Sequence, residues 1–85
     1  MDIKVLYFGE LREILNTATE SISTSTDHMT VADLIGYLSN RSDTWLTALS
    51  GSEPLRIAVN QEMAERSTVL NDGAEVALFR PVTGG

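Results

Sequence analysis

The sequence predicts an α+β domain with its helices on one face of a sheet. Three observations carry that reading. Strand-like runs with period-two alternation stand near both ends, at 3–8 and 75–79. Val31, Leu34, Ile35 and Leu38 form an i, i+3, i+4, i+7 stripe, the buried face of one helix. The order of elements is strand, strand, helices, strand, strand, with the helices in the middle of the chain. The chain has 85 residues, enough for one small domain and one modest core.

Ile3-Lys4-Val5-Leu6-Tyr7-Phe8 reads as the first strand, rich in β-branched and aromatic residues, and Gly9 closes it. Alternation puts Ile3, Val5 and Tyr7 on one face, and Lys4, Leu6 and Phe8 on the other. Lys4 marks the second set as outward. Glu10 to Leu15 is a short helical turn with Leu11, Ile14 and Leu15 at helical spacing. Ala18 to Thr24 reads as a second strand in which Ile22 is the one large apolar residue. Residues 25–28 form a polar loop. His28 is the chain's single histidine, and with no cysteine or second histidine beside it a surface role outweighs a ligand or base.

The strongest helix signal starts at Thr30. Thr30 can cap, with Asp33 in the first turn as an acidic capping box, and Met29 and Leu34 hold the staple positions. Gly36 weakens this helix and is expected to permit close packing on the sheet. Asn40 is a plausible stop. A second helical piece begins at Ser42-Asp43, with Trp45, Leu46 and Leu49 apolar and Gly51 as its end. Trp45 is a core residue rather than a platform for a ligand. Leu55 to Asn60 is a strand, and Asn60-Gln61-Glu62 turns out of it. An extended piece around Ser67 to Leu70 leads to Asn71-Asp72-Gly73, a strong turn signal. The last strand runs from about Ala74 to Arg80, with Val76 and Leu78 on one face and Glu75, Ala77 and Phe79 on the outward one.

Composition narrows function. The formal net charge is −6 with the acidic residues scattered, which argues against a nucleic-acid footprint and fits a basic protein surface or plain solubility. No apolar run approaches the roughly 20 residues of a membrane span, and no signal peptide precedes the first strand, so a cytoplasmic location is the default. Cysteine is absent, so any sulfur chemistry must use another group. Lys4 is the only lysine. No phosphate loop, metal cluster or nucleophile set is present, and the chain does not read as an enzyme in its own right.

The ending draws the most attention. Pro81 has no N–H and biases Arg80 towards an extended conformation, so the last strand should lose its ladder there. Val82-Thr83-Gly84-Gly85 follows without a charged side chain. Two terminal glycines can thread a passage too narrow for a side chain. Such an ending suits delivery of a C-terminal carboxyl group into a partner's active site. A frayed terminus is the bland alternative.

Ile3-Lys4-Val5-Leu6-Tyr7-Phe8-Gly9-Glu10-Leu11-Arg12-Glu13, then Ala58-Val59-Asn60-Gln61, then the block from Leu70 to Gly85 with Asp72-Gly73, Glu75-Val76-Ala77, Phe79 and Pro81-Val82-Thr83-Gly84-Gly85, together resemble the molybdopterin synthase small subunits among the ubiquitin-like proteins. Arg80 and Ala74 depart from the family pattern, where Pro and an acidic residue are usual. The resemblance implies a β-grasp fold: a mixed sheet packed on one main helix plus short helices, over residues 1–81, with 82–85 as a flexible tail. It implies a sulfur carrier in molybdenum cofactor biosynthesis. A ubiquitin-activating-like adenylyltransferase would adenylate Gly85, a sulfur donor enzyme would supply the thiocarboxylate, and Gly84 would be needed for threading. The thiocarboxylate would pass sulfur to cyclic pyranopterin monophosphate inside the large synthase subunit, in a heterotetramer of two small and two large chains. No cofactor is expected on the carrier itself, and ATP is spent by the activating partner. Neither nucleic acid nor membrane is an expected partner. Leu6, Phe8, Phe79, Arg80, Pro81, Val82 and Thr83 are the expected partner contacts. The alternatives are a sulfur carrier for thiazole synthesis, a protein modifier conjugated through Gly85, and a passive interaction domain.

Overall fold

The computed structural model describes residues 1–50 and 54–81. Strand β1 (Asp2–Tyr7) is followed by helix α1 (Gly9–Leu15) and strand β2 (Thr19–Ser23). A two-residue strand β3 (Met29–Thr30) runs directly into α2 (Val31–Ser39), and α3 (Asp43–Ser50) follows. The second half holds β4 (Arg56–Val59), β5 (Glu62–Met63), β6 (Val69–Leu70) and β7 (Glu75–Phe79). The main sheet has five strands in the order β2-β1-β7-β4-β5, and β3 pairs with β6 in a separate ribbon. β1 and β7 are parallel and central, while the other pairs are antiparallel. This mixed sheet with helices on one face is the β-grasp arrangement, the α+β fold the sequence predicts.

Alternation sorts the sheet into two faces. Ile3, Val5 and Tyr7 of β1, Ile22 of β2, Ile57 of β4, and Val76 and Leu78 of β7 are buried on the inner face. The stripe Val31, Leu34, Ile35 and Leu38 of α2 is buried with them in one cluster, joined by Leu11, Leu15, Ala48 and Leu49. The apolar positions Ile14 and Leu46 differ from that pattern: they face outward, 41% and 49% exposed. α1 and α3 each meet the core by one face, and Ile14 and Leu46 fall on the other.

Local chemistry explains the boundaries of α2. The Thr30 hydroxyl accepts from the Asp33 N–H, and the Asp33 carboxylate accepts from the Thr30 N–H at 3.0 Å, closing the capping box. That hydrogen bond holds the Asp33 carboxyl below its usual range. β3 sets the entry to α2, because Met29 pairs with Leu70 and Thr30 with Val69. The extended piece expected around Ser67 to Leu70 supplies β6, whereas β3 escapes the sequence: two residues carry no periodicity. The hairpin from β4 to β5 escapes it likewise. Its corner is Asn60-Gln61, both with positive φ, as a tight hairpin requires. Gly36 overturns the expected close packing. It is exposed, and a Cβ built on it meets nothing within 4 Å.

One polar cluster anchors the edge strand β2. Glu20 stands opposite Val5 and so points to the helix side of the sheet. Arg41, just beyond α2, grips its carboxylate bidentately at 2.6 and 2.8 Å, and the Tyr7 hydroxyl donates to it at 2.7 Å. The Arg41 guanidinium also lies 4.7 Å from the centroid of the Trp45 ring, which meets the Tyr7 ring in a T-shaped pair with centroids 5.5 Å apart. Trp45 differs from the core position expected of it: it is half-buried and packs against the rim of the core. Hydrogen bonding from Arg41 holds Glu20 below its usual range, while burial pushes the Tyr7 hydroxyl well above its own.

Two outcomes follow from these contacts. Gly36→Ala should stabilise the protein by about 0.5–1 kcal/mol in denaturant unfolding, since the helix gains propensity and the side chain meets open space. A loss of stability would show that this position packs after all. Glu20 has a lower pKa folded than unfolded, so its stabilisation is present above the ordinary Glu range and is lost as pH falls through the folded value. The unfolding midpoint should therefore fall from about pH 7 to about pH 3 by less in Glu20→Gln than in the parent. Equal slopes would remove Glu20 from the acid response.

Candidate functional site

The outer face of the sheet is the candidate interaction surface. Register builds it strand by strand. Leu6 of β1 pairs with Ala77 of β7, Ala77 with Ala58 of β4, and Ala58 with Met63 of β5. These four residues form one row across the sheet on the face away from the helices. Phe8 extends the face by one step: its backbone is still extended, at φ −120° and ψ 155°, and its N–H donates to the Leu78 carbonyl at 3.2 Å. Phe79 stands beside it on β7, opposite Arg56 of β4. Phe8 is 49% and Met63 65% exposed, while Leu6, Ala77, Ala58 and Phe79 are half-buried by their neighbours. The result is an apolar patch four strands wide at the C-terminal end of β7. Lys4 and Glu75, paired in register, form its charged border.

Leu6, Phe8 and Phe79 were expected on outward faces, and the register brings them to one surface. Met63, Ala58 and Ala77 belong to it too. Met63 was missed because β5 carries no strand signal; its only sequence cue is its place just past the Asn60-Gln61 turn. Pro81 lies half-buried directly beyond the patch. Val82, Thr83, Gly84 and Gly85 lie outside the described residues.

Arg80 differs from the expectation. It was grouped with the partner contacts, but its side chain turns back into the domain and is only 16% exposed. One guanidinium nitrogen donates to the Ala48 carbonyl of α3, and the other reaches Glu10 Oε1 of α1 at 3.1 Å. Ala74 also departs from a surface role. It is buried, so its difference from the family pattern falls inside the core and not on a contact surface.

No group of His, Cys, Asp and Glu among the described residues could hold a metal ion, and His28 is exposed in its loop. A shallow groove of about 410 Å³ is lined by Ile14, Asp43, Thr44, Thr47, Ala48 and Arg80, without a nucleophile paired to a base. No described helix is long and apolar enough to cross a membrane.

Comparison with known proteins agrees with this geometry. The ThiS family model matches residues 5–85. The molybdopterin synthase sulfur carrier subunit of Escherichia coli K12 is 41% identical over 83 residues, spanning 98% of this chain and 99% of that one. The chain belongs to the ThiS family. Among solved structures, SAMP1 from Haloferax volcanii superposes over 100% of both chains with a TM-score of 0.85 at 23% identity. A chain from the complex of subunits 1 and 2 of molybdopterin-converting factor from Helicobacter pylori 26695 covers 100% of both chains, with a TM-score of 0.66 and 23% identity. At these identities the two structures speak for the fold.

Proposed function

We propose that this ThiS family member is the sulfur carrier of a molybdopterin synthase and acts in molybdenum cofactor biosynthesis. The end-to-end match to the Escherichia coli sulfur carrier subunit carries the reading. The Helicobacter pylori chain, of like fold, was solved with its subunit 2, which fits a large-subunit partner here.

The chemistry is assigned to Gly85. A carboxylate is a poor electrophile until an oxygen attacks the α-phosphorus of ATP, releasing pyrophosphate and leaving an acyl-adenylate. A sulfur nucleophile supplied by the donor enzyme then displaces AMP and leaves a thiocarboxylate. That group is itself a nucleophile, so the carrier needs no cysteine. It attacks cyclic pyranopterin monophosphate within the large subunit, and hydrolysis of the acyl link returns the carboxylate. A dithiolene takes two sulfurs and each chain brings one, which suits two carriers in a heterotetramer. The adenylyltransferase and large subunit supply the catalytic groups and ATP site; the domain supplies grip and aim. The intact mass of the protein from its own cells tests the carrier class: one oxygen replaced by sulfur at Gly85 is expected.

Gly84→Ala, or one residue appended after Gly85, should abolish sulfur transfer and leave the melting temperature unchanged, because residues beyond the last strand add little to stability. Full synthesis by an appended carrier that stays untrimmed would refute the assignment to Gly85. The patch gives a separate outcome. Phe79→Ala should cost about 2 kcal/mol or more of affinity for the large subunit, as a buried aromatic anchor does. Phe8→Ala and Met63→Ala should weaken binding in the same direction with little loss of thermal stability. Paired calorimetry and melting decide: if all three variants bind like the parent, the partner docks elsewhere.

A further inference from the structure

We propose that Arg80 is a positioning residue for the tail: pinned between α3 and α1, it sets the direction in which the chain leaves the sheet and so lowers the ordering cost of threading residues 82–85 into the large subunit. The inference rests on the carrier reading above.

Arg80 is the first residue beyond β7, and Pro81 follows it. At this point the sheet no longer holds the backbone, because Pro81 has no N–H to continue the ladder. The side chain takes over. Its contacts reach 32 and 70 residues back along the chain, to Ala48 and Glu10. Both acceptors suit a cation. Ala48 lies in the last turn of α3, where carbonyls lack intrahelical donors and the helix dipole is negative. Glu10 lies in the first turn of α1, where an anion is itself favoured. One guanidinium therefore ties two helix ends to the root of the tail.

The arrangement differs from an ordinary surface ion pair. Glu10 is largely exposed, and such a pair alone contributes little. The Arg80 side chain, by contrast, is mostly buried and has a second bond to a backbone carbonyl, which cannot swing away. The planar guanidinium fixes an angle as well as a distance. With its root fixed at Arg80, the chain has less ordering to pay for on binding. The apolar patch and the pinned root then act together: Phe79 faces the partner on one side of the strand end, and Arg80 holds the other side to the domain.

The test is a cycle of two changes. Parent and Arg80→Met, each with and without residues 82–85, are titrated against the large subunit by calorimetry. In the full-length pair Arg80→Met should weaken binding about five-fold, and in the pair lacking the tail the difference should vanish. Glu10→Gln, which removes only the ion pair, should show the same dependence on the tail at smaller size, and it serves if Arg80→Met fails to fold. Equal weakening with and without the tail would make Arg80 a direct contact or a mere fold element, and no weakening would leave it without a role; either overturns the proposal. A second readout needs no partner. The heteronuclear NOE of the residue 80 amide should fall in Arg80→Met, while those of Val76 and Leu78 hold. An unchanged residue 80 amide overturns the proposal whatever the titrations give. If the parent itself fails to bind the large subunit, the carrier reading falls, and the NOE still decides whether Arg80 holds the exit.

Discussion

The parallel pairing of β1 with β7 is the constraint on which the structure depends. Parallel neighbours cannot be joined by a tight hairpin, and here the crossover between them takes in everything from the end of β1 at Tyr7 to the start of β7 at Glu75. That connection carries the helices across one face and closes the core. Both strands are central and covered on the inner side, and Ile3, Val5, Tyr7, Val76 and Leu78 are each at most 1% exposed. The register is pinned at its start by the Asn71-Asp72-Gly73 turn. The Asp72 carboxylate accepts from the Asp2 N–H at 2.7 Å, and the Gly73 N–H donates to the Asp2 carbonyl at 2.7 Å. Gly73 has φ +84°, a conformation that a side chain would oppose. A slip of either strand by one residue would move its apolar set to the outer face.

The same register separates stability from recognition. Because the strands run parallel, their C-terminal ends fall at one end of the sheet, so Phe8 and Phe79 come together there although they lie at opposite ends of the sequence. The residues that hold the domain are on the inner face, and those that can meet a partner are on the outer face. Substitutions on the outer side leave the core intact, and the chemistry assigned to Gly85 lies beyond both.

Much of this was legible in the chain because each strong signal had a single physical cause. Alternation in 3–8 and 75–79 assigned both faces of the central strands. The stripe of α2 and its Thr30-Asp33 capping box were local and came out as read. What stayed hidden was tertiary. β3 and β5 have two residues each, too few to show a period. Glu20 carries no signal of its own in the sequence, since Arg41 and Tyr7 become its partners only when β2, β1 and the end of α2 meet. Arg80 stands among the expected partner contacts for the same reason, as nothing nearby in sequence names Ala48 or Glu10. Gly36 shows the opposite error, a residue credited with a packing role when its helix face is simply open.

The fold alone leaves one question about mechanism, and the surface chemistry bears on it. SAMP1 has a closely similar backbone, and a protein modifier and a sulfur carrier would both begin by activating a terminal carboxylate. They part at the next step. A modifier forms an amide with an amine and must leave with its target, whereas a carrier gives up sulfur and regains its carboxylate, ready for another round. A modifier that builds chains also needs acceptor amines on its own surface. This chain has one lysine, Lys4, exposed on the outer face of β1 and paired in register with Glu75. That amine borders the apolar patch, so a partner seated on the patch would crowd the one side chain at which a second copy could be attached. Chain formation and docking would then compete for the same face. A carrier meets no such conflict, because its patch and its terminus are used by the same partner at the same moment, and the placement of Phe79 a few residues before the tip serves both.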